Sequence, residues 1–426
     1  MKILIANTRF NPGGGDITYA YNLAQLLMSK GHEVAFFAMQ NENNLPDPNS
    51  DLFVSEINFR ELNKKKNIKT GAQVLVRTIY STEARQKFSK LIDRFHPDLI
   101  HLQNIYAHLT ASIIFEASQR KLPMVWTQHD FRMACPNSHF LIDRTNEVCE
   151  ACRGGKYYQV VLKRCKKDSL LASLMACTES YAYQWMHVPE KASAFLAPSK
   201  FLRRKLLENG FPPEKVYHLP LFMTEEQFRP GGADQGYLLF LGRIEHIKGV
   251  DILVEACRQA PSVKVILAGS ADGAFATNLI NSLPPNVTYA GLKHGDELFE
   301  LISQALSIVL PSVCYENQPF SILEAFAAGK PVIASDLGGM TELVSEERGR
   351  LVKPKDPVSL AEAMIWMTGH VDQVKEMGLN AQSYAREVHT AEPHYNHLMA
   401  IYSQVTGKDS KLGETGIERL GYSLPS

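Results

Sequence analysis

Short continuous apolar runs alternate along this chain with stretches whose apolar positions recur at helical spacing. Lys2 to Asn7 is a brief run rich in branched residues, and a glycine loop, Gly13-Gly14-Gly15, follows it. Between Ile17 and Lys30 the apolar residues fall at Ile17, Ala20, Tyr21, Ala24, Leu27 and Met28, one helical stripe. Gly31 suits the position just past a helix end. Glu33 to Met39 predicts a second strand, and Asp98 to Leu102, Met124 to Thr127 and Ala194 to Ala197 predict later ones. Helical patterns between these runs imply crossover connections and hence a parallel sheet.

The second half repeats this grammar. Tyr237 to Leu241, Val263 to Ala268, Val287 to Ala290, Leu306 to Leu310 and Pro331 to Ser335 are continuous apolar runs, as expected of strands buried on both faces. A helix is expected over Val250 to Gln259. Phe222 to Gly236, rich in Glu, Gly and polar residues, reads as the linker between halves. The fold class is therefore α/β, with two doubly wound, Rossmann-like domains facing each other across a cleft. Such folds bind ligands beyond the carboxyl ends of their strands. The expected division is residues 1–221, 237–385, a helix over 386–406 returning to the first domain, and a loose tail over 407–426.

Composition narrows the partners. The chain has 426 residues, too many for one ordinary core. Its 45 Lys and Arg equal its 45 Asp and Glu, which argues against a nucleic-acid binder. Basic residues nonetheless cluster at Lys64, Lys65, Lys66 and Lys69, at Lys163, Arg164, Lys166 and Lys167, and at Arg203, Arg204 and Lys205. Solvated surface is one reading of these clusters; a face toward anionic lipid or a phosphate-bearing acceptor is the other. No apolar run approaches the roughly 20 residues of a membrane span. The expectation is a cytoplasmic protein, with peripheral contact at the inner face of an anionic membrane as its extension.

Four places carry candidate chemistry. Glu316-Asn317-Gln318-Pro319-Phe320-Ser321-Ile322-Leu323-Glu324 follows a strand and opens a helix, putting two carboxylates near helix-start amides that can bind a diphosphate. Ser321-x-x-Glu324 is also a capping box. Gly242-Arg243, with Lys248-Gly249 five positions on, places two cations at a strand's carboxyl edge, where they can hold phosphate oxygens. No Asp-x-Asp motif occurs, so no catalytic metal is expected. Pro12-Gly13-Gly14-Gly15-Asp16 lets a ligand approach bare backbone or is a plain tight turn. Thr127-Gln128-His129-Asp130 puts a histidine at the cleft edge of a strand.

In order and spacing these segments resemble glycosyltransferase family 4, retaining enzymes of the GT-B fold. His96 to His101, Ala197-Pro198-Ser199, Pro331 to Ser335 and Gly338-Gly339 with Glu342 extend the resemblance over most of the chain. It implies a nucleoside-diphosphate sugar donor and a sugar or lipid-linked acceptor. It also implies roles: Glu316 and His129 at the donor sugar, Arg243 and Lys248 on the diphosphate, and Glu324 on the ribose. Gly14 and Gly15 would lie near the diphosphate, and Asn317, Pro319, Phe320 and Ser321 would complete the donor site. Attack on the face the leaving group departs from, with a diphosphate oxygen as base, is the mechanism implied. Asp16 departs from the small residue or Glu expected after the glycines. A GT-B epimerase, a phosphorylase and a non-catalytic partner of another transferase are the competing readings.

Seven cysteines are present, and Cys135, Cys149, Cys152 and Cys165 cluster in an insertion spanning about 132–168. A structural Zn²⁺ held by four thiolates is the first expectation; free thiols, disulfides or an iron–sulfur cluster are the alternatives.

Overall fold

A computed structural model describes residues 1–11, 13–56, 77–229 and 234–408. The Lys64–Lys69 cluster, Pro12 and residues 409–426 of the expected tail lie outside the described residues. Two six-stranded sheets form, each parallel throughout. In the first, β1 (Lys2–Ala6), β2 (Glu33–Phe37), β3 (Leu99–Leu102), β4 (Met124–Thr127), β7 (Ala194–Ala197) and β8 (Val216–His218) lie in the order β2-β1-β3-β4-β7-β8. In the second, β9 (Tyr237–Leu241), β10 (Lys264–Ala268), β11 (Val287–Gly291), β12 (Ser307–Leu310), β13 (Val332–Ser335) and β14 (Gly349–Val352) lie in the order β11-β10-β9-β12-β13-β14. The remaining pair, β5 (Leu141–Ile142) and β6 (Glu147–Val148), is a small antiparallel hairpin inside the cysteine-rich insertion.

Strand alternation explains the continuous apolar runs. Ile3 and Ile5 face the helix α1 (Gly15–Ser29) through Ile17, Ala20 and Leu23. Leu4 and Ala6 face the opposite layer, where α2 (Thr82–Phe95) supplies Phe88 and Leu91. The second sheet behaves alike: Leu239 and Leu241 join one core, Leu238 and Phe240 another. Both faces of each sheet are covered, so both sets must be apolar. Helix α1 begins two residues before the expected Ile17 and stops at Ser29, with Gly31 at φ +83° beyond it.

The segment read as a linker is not one throughout. Phe222, Met223 and Phe228 are buried. Met223 pairs with Thr390, its N–H donating to the His389 carbonyl. Apolar side chains hidden among polar neighbours make the start of this stretch part of the core. Beyond it, the last described helix, Ala391–Thr406, lies on the first domain. Its Tyr402 hydroxyl bonds His101 Nδ1 at 2.5 Å, and its His394 bonds the Tyr19 hydroxyl at 3.1 Å. Lys30 pairs with Glu392 on the same face.

The Arg203-Arg204-Lys205 cluster is not a free basic face. Lys205 is buried and paired with Glu150 and Glu208, and Arg203 donates to the Val216 carbonyl.

Leu398 is fully buried between the final helix and the rest of the fold. Leu398→Ala is expected to cost about 2–5 kcal/mol of stability, seen as a lower urea midpoint with an unchanged slope.

Candidate active site

The end of β12 and the turn after β9 meet at the centre of the molecule. His246–Lys248 forms a single 3₁₀ turn closed by Gly249 at φ +69°. A β-carbon on Gly249 would lie 1.9 Å from the Pro311 carbonyl oxygen, so only glycine allows this approach. The approach delivers Lys248 to Glu316: its Nζ stands 2.7 Å from Glu316 Oε1, which also accepts from the Ser312 hydroxyl at 2.8 Å. Burial alone would push Glu316 up and Lys248 down. Their mutual attraction wins, lowering Glu316 below and raising Lys248 above the ordinary values. Both therefore stay charged at neutral pH. Arg243, exposed nearby, bonds Glu245 at 2.8 Å.

Glu324 behaves differently. The helix it belongs to runs Phe320–Ala327 with Pro319 at its N-cap and no side-chain cap. Ser321 thus lies inside the helix and Glu324 in its second turn, so the capping box expected from Ser321-x-x-Glu324 does not form. With Pro319 as the N-cap, the helix starts upstream of the serine and leaves it two residues inside, beyond the capping position. The Glu324 carboxyl has no hydrogen-bond or ionic partner among the described residues. Burial raises it from 4.5 to about 7.

Asn317 crosses to the first domain. Its side chain accepts from the Ser199 hydroxyl at 2.6 Å and donates to the Gln128 carbonyl at 3.0 Å and that of His129 at 3.3 Å. Gln318 accepts the Leu221 N–H at 2.6 Å. Glu342 accepts from Lys200 and Phe201 N–H groups at the start of the helix Lys200–Glu208. Tyr315 sits against Phe201, Phe140 and Phe131, its hydroxyl donating to Glu150 at 2.9 Å. Gly339 makes the loop possible: its N–H donates to the Glu316 carbonyl at 2.7 Å, and a β-carbon there would stand 1.6 Å from the Asn317 oxygen.

The first domain supplies the opposite wall. Gly15 opens α1 and faces the Phe320 ring, while Gly14 lies beside Arg9, which pairs with Asp16 at 2.7 Å. His129 bonds Gln103 Oε1 at 2.6 Å and packs edge-on against Tyr19. Burial lowers it below the usual imidazole value, against the pull of Asp16 and Asp130, so it is neutral at pH 7. Three contributors escaped the sequence reading. His139 lies within electrostatic reach of Glu316 and Lys248. Arg9 and Tyr315 are the others. None carried a motif; each is brought in by chain folding.

With this geometry in view, similarity decides the family. Residues 13–226, half the chain, match the model described as Glycosyltransferase Family 4, and residues 235–370 match Glycosyl transferases group 1. The chain belongs to glycosyltransferase family 4. Like its relatives it is a glycosyltransferase. An uncharacterized 42.6 kDa protein of the cps region of Klebsiella pneumoniae is 23% identical over 80% of this chain and 87% of that one. The alpha-galactosylglucosyldiacylglycerol synthase of Streptococcus pneumoniae is 24% identical over 49% of this chain and 59% of its own length. Among solved structures, Anabaena Alr3699/HepE in complex with UDP and glucose superposes with a TM-score of 0.62, covering 95% of this chain and 99% of that one at 17% identity. The likeness is one of fold, GT-B.

The cysteines complete the family member's inventory. Cys135, Cys152 and Cys165 are buried and Cys149 half-buried, and none of the four is in a disulfide. Cys149, Cys152 and Cys165 pack in one small core with Ile142 and Val160. Among the described residues no three His, Cys, Asp or Glu side chains stand close enough to hold a metal ion. Cys177, Cys257 and Cys314 are buried. Cys314 packs with Leu141 and Val313, where the insertion's hairpin meets the second domain.

Two outcomes follow from the glycine and the unpaired acid. Gly339→Ala forces the Asn317 carbonyl away and should cost about 1–3 kcal/mol of stability, seen as a lower urea midpoint. Glu324 ionises near 4.5 in the unfolded chain but near 7 when folded, so its charge opposes folding increasingly across that window. Glu324→Gln should therefore raise the ligand-free melting temperature by about 2–4 °C at pH 8, with little change at pH 4.5.

Proposed function

We propose that this family 4 enzyme transfers a sugar, with retention, from a nucleoside-diphosphate sugar to a hydroxyl of a growing polysaccharide or lipid-linked saccharide. The observation that carries the reading is the carboxyl of Glu324, partly buried and without a partner, just inside a helix whose approach holds a charged Lys248–Glu316 pair. A buried carboxylate needs donors, and ribose hydroxyls are donors of the right kind. A diphosphate needs fixed cations; Lys248 is held as ammonium by Glu316, and Arg243 stands on the same loop. The UDP and glucose bound by HepE, and the galactosylglucosyldiacylglycerol for which the pneumococcal relative is named, fit this donor and acceptor class.

In this reading Lys248 and Arg243 stabilise negative charge developing on the leaving diphosphate. Glu316 stays anionic beside the donor sugar, where positive charge grows at the anomeric carbon. The bond from that carbon to the diphosphate oxygen breaks. The acceptor oxygen bonds the same face, and its proton passes to a diphosphate oxygen. His129, neutral, accepts from or donates to a sugar hydroxyl. Pro319, Phe320 and Ser321 shape the donor wall at the helix start, with Gly14 and Gly15 opposite. Asn317 serves this wall indirectly, because its side chain is already bonded across the domains.

The four insertion cysteines are proposed to hold a structural zinc ion, separate from the chemistry. Their thiolate donor set suits zinc, and backbone N–H groups of Asn137 and Phe140 lie beside the Cys135 sulfur. Zinc requires a tighter convergence than the described side chains have. Purified protein should carry about one zinc per chain, and Cys152→Ser should lose it together with thermal stability. Metal-free protein of full stability overturns the proposal.

The donor reading is checked by melting curves with nucleoside diphosphates and by transfer assays. UDP or GDP should raise the melting temperature, and Lys248→Ala should cut turnover at least about 100-fold. Because Glu324 must give up its proton to accept ribose hydroxyls, nucleotide affinity should fall about tenfold per pH unit below about 7. Glu324→Gln should flatten that profile. Nucleotide binding without any turnover would instead mark a non-catalytic partner.

A further inference from the structure

The cysteine-rich insertion leads into the helix Leu170–Trp185, and this region carries an apolar surface that no described part of the chain covers. Six of the fifteen exposed large apolar residues lie here among the described residues: Tyr158, Leu162, Leu170, Leu171, Leu174 and Trp185. Leu162, Leu171 and Trp185 are 72%, 68% and 76% exposed. Leu171, Leu174, Tyr181 and Trp185 recur at intervals of three, seven and four, one stripe along the helix. Tyr181 stacks on Trp185 with ring centres 5.7 Å apart, and its hydroxyl accepts the Tyr158 N–H at 3.3 Å. The short helix Gln159–Leu162, which packs against this longer one, carries the exposed Leu162 beside it.

Charge identifies the occupant. Between positions 153 and 170 the chain has six Lys or Arg and one Asp. Arg153, Lys156, Arg164 and Lys167 are exposed and Lys163 half-exposed, whereas Lys166 is turned inward and its ammonium weakened by burial. Glu179, the acid on the helix itself, is already paired with Arg132. Exposed Leu and Trp bordered by cations match the interface of an anionic bilayer, where apolar tips enter the acyl boundary and cations meet headgroups. A polar solvent leaves such a surface uncompensated.

We propose that this face docks the protein on anionic phospholipid membrane, seated through Leu162, Leu171, Leu174 and Trp185 and oriented by Lys163, Arg164 and Lys167. The inference does not rest on the donor reading, since no docking residue contacts the Lys248–Glu316 site. Sedimentation of the full chain with phosphatidylglycerol-containing vesicles tests it, against pure phosphatidylcholine vesicles. Binding should be strong to the first, weak to the second and reduced by salt. Trp185 emission should shift to the blue on binding, and Trp185→Phe should abolish the shift. Leu171→Ser with Leu174→Ser should weaken binding at least about tenfold. Lys163→Glu, Arg164→Glu and Lys167→Glu together should remove the preference for anionic lipid. Unchanged melting shifts with UDP or GDP in these variants separate loss of docking from loss of the donor site or fold. Absence of vesicle binding, equal binding by every variant, or a stable dimer that hides Trp185 overturns the proposal.

Discussion

The buried carboxamide of Asn317 is the contact on which the two-domain arrangement turns. It leaves the loop that also carries Glu316 and reaches Ser199 and Gln128 on the first domain. An amide buried without such partners would be costly, so the two domains are held together wherever that loop is correctly placed. Gly339 fixes the same loop from beneath, and Tyr315 anchors it in an aromatic pocket of the first domain. One short segment after β12 therefore does two jobs: it closes the molecule and presents the charged side chains.

Charge inside this junction is kept by pairing. Lys248 and Glu316 are each partly buried, which works against their charges, and each supplies the other's compensation. Glu324 has no such compensation and sits near neutrality in its titration. The contrast assigns different work to two acids eight positions apart. A paired acid is a permanent charge; an unpaired one is a receptor for hydrogen-bond donors. The neutral His129, buried against Tyr19, adds a third kind of group to the same cleft.

The insertion ties the site to the surface. Its hairpin packs Leu141 against Val313 and Cys314, and Glu150 joins Tyr315 to Lys205. His139 comes from the same segment and feels the Lys248–Glu316 pair. A change in the fold of the insertion would therefore be felt at the second domain's strand ends. Its outer side carries the apolar and basic face, so one segment touches both the cleft and the solvent boundary.

Periodicity alone marked ten of the twelve strands in the two parallel sheets, because strands covered on both faces read as unbroken apolar runs; the short edge strands β8 and β14 carry no such run and came only with the structure. Residue order along the chain also determined the family, since Gly14-Gly15, Arg243, Lys248, Glu316 and Glu324 recur in a fixed sequence of loops and helix starts. Partnership was decided only by tertiary structure. Ser321 and Glu324 have the spacing of a cap, yet Pro319 starts the helix and leaves the acid unpaired. Asn317 has the position of a ligand residue, yet it bonds across the domains. Phe222 to Phe228 has the composition of a linker, yet its apolar side chains are buried by helices more than 150 residues away. His139, Arg9 and Tyr315 had no motif to announce them. Local spacing fixes which face a residue occupies; which group meets it there depends on distant segments, and no short pattern encodes that meeting.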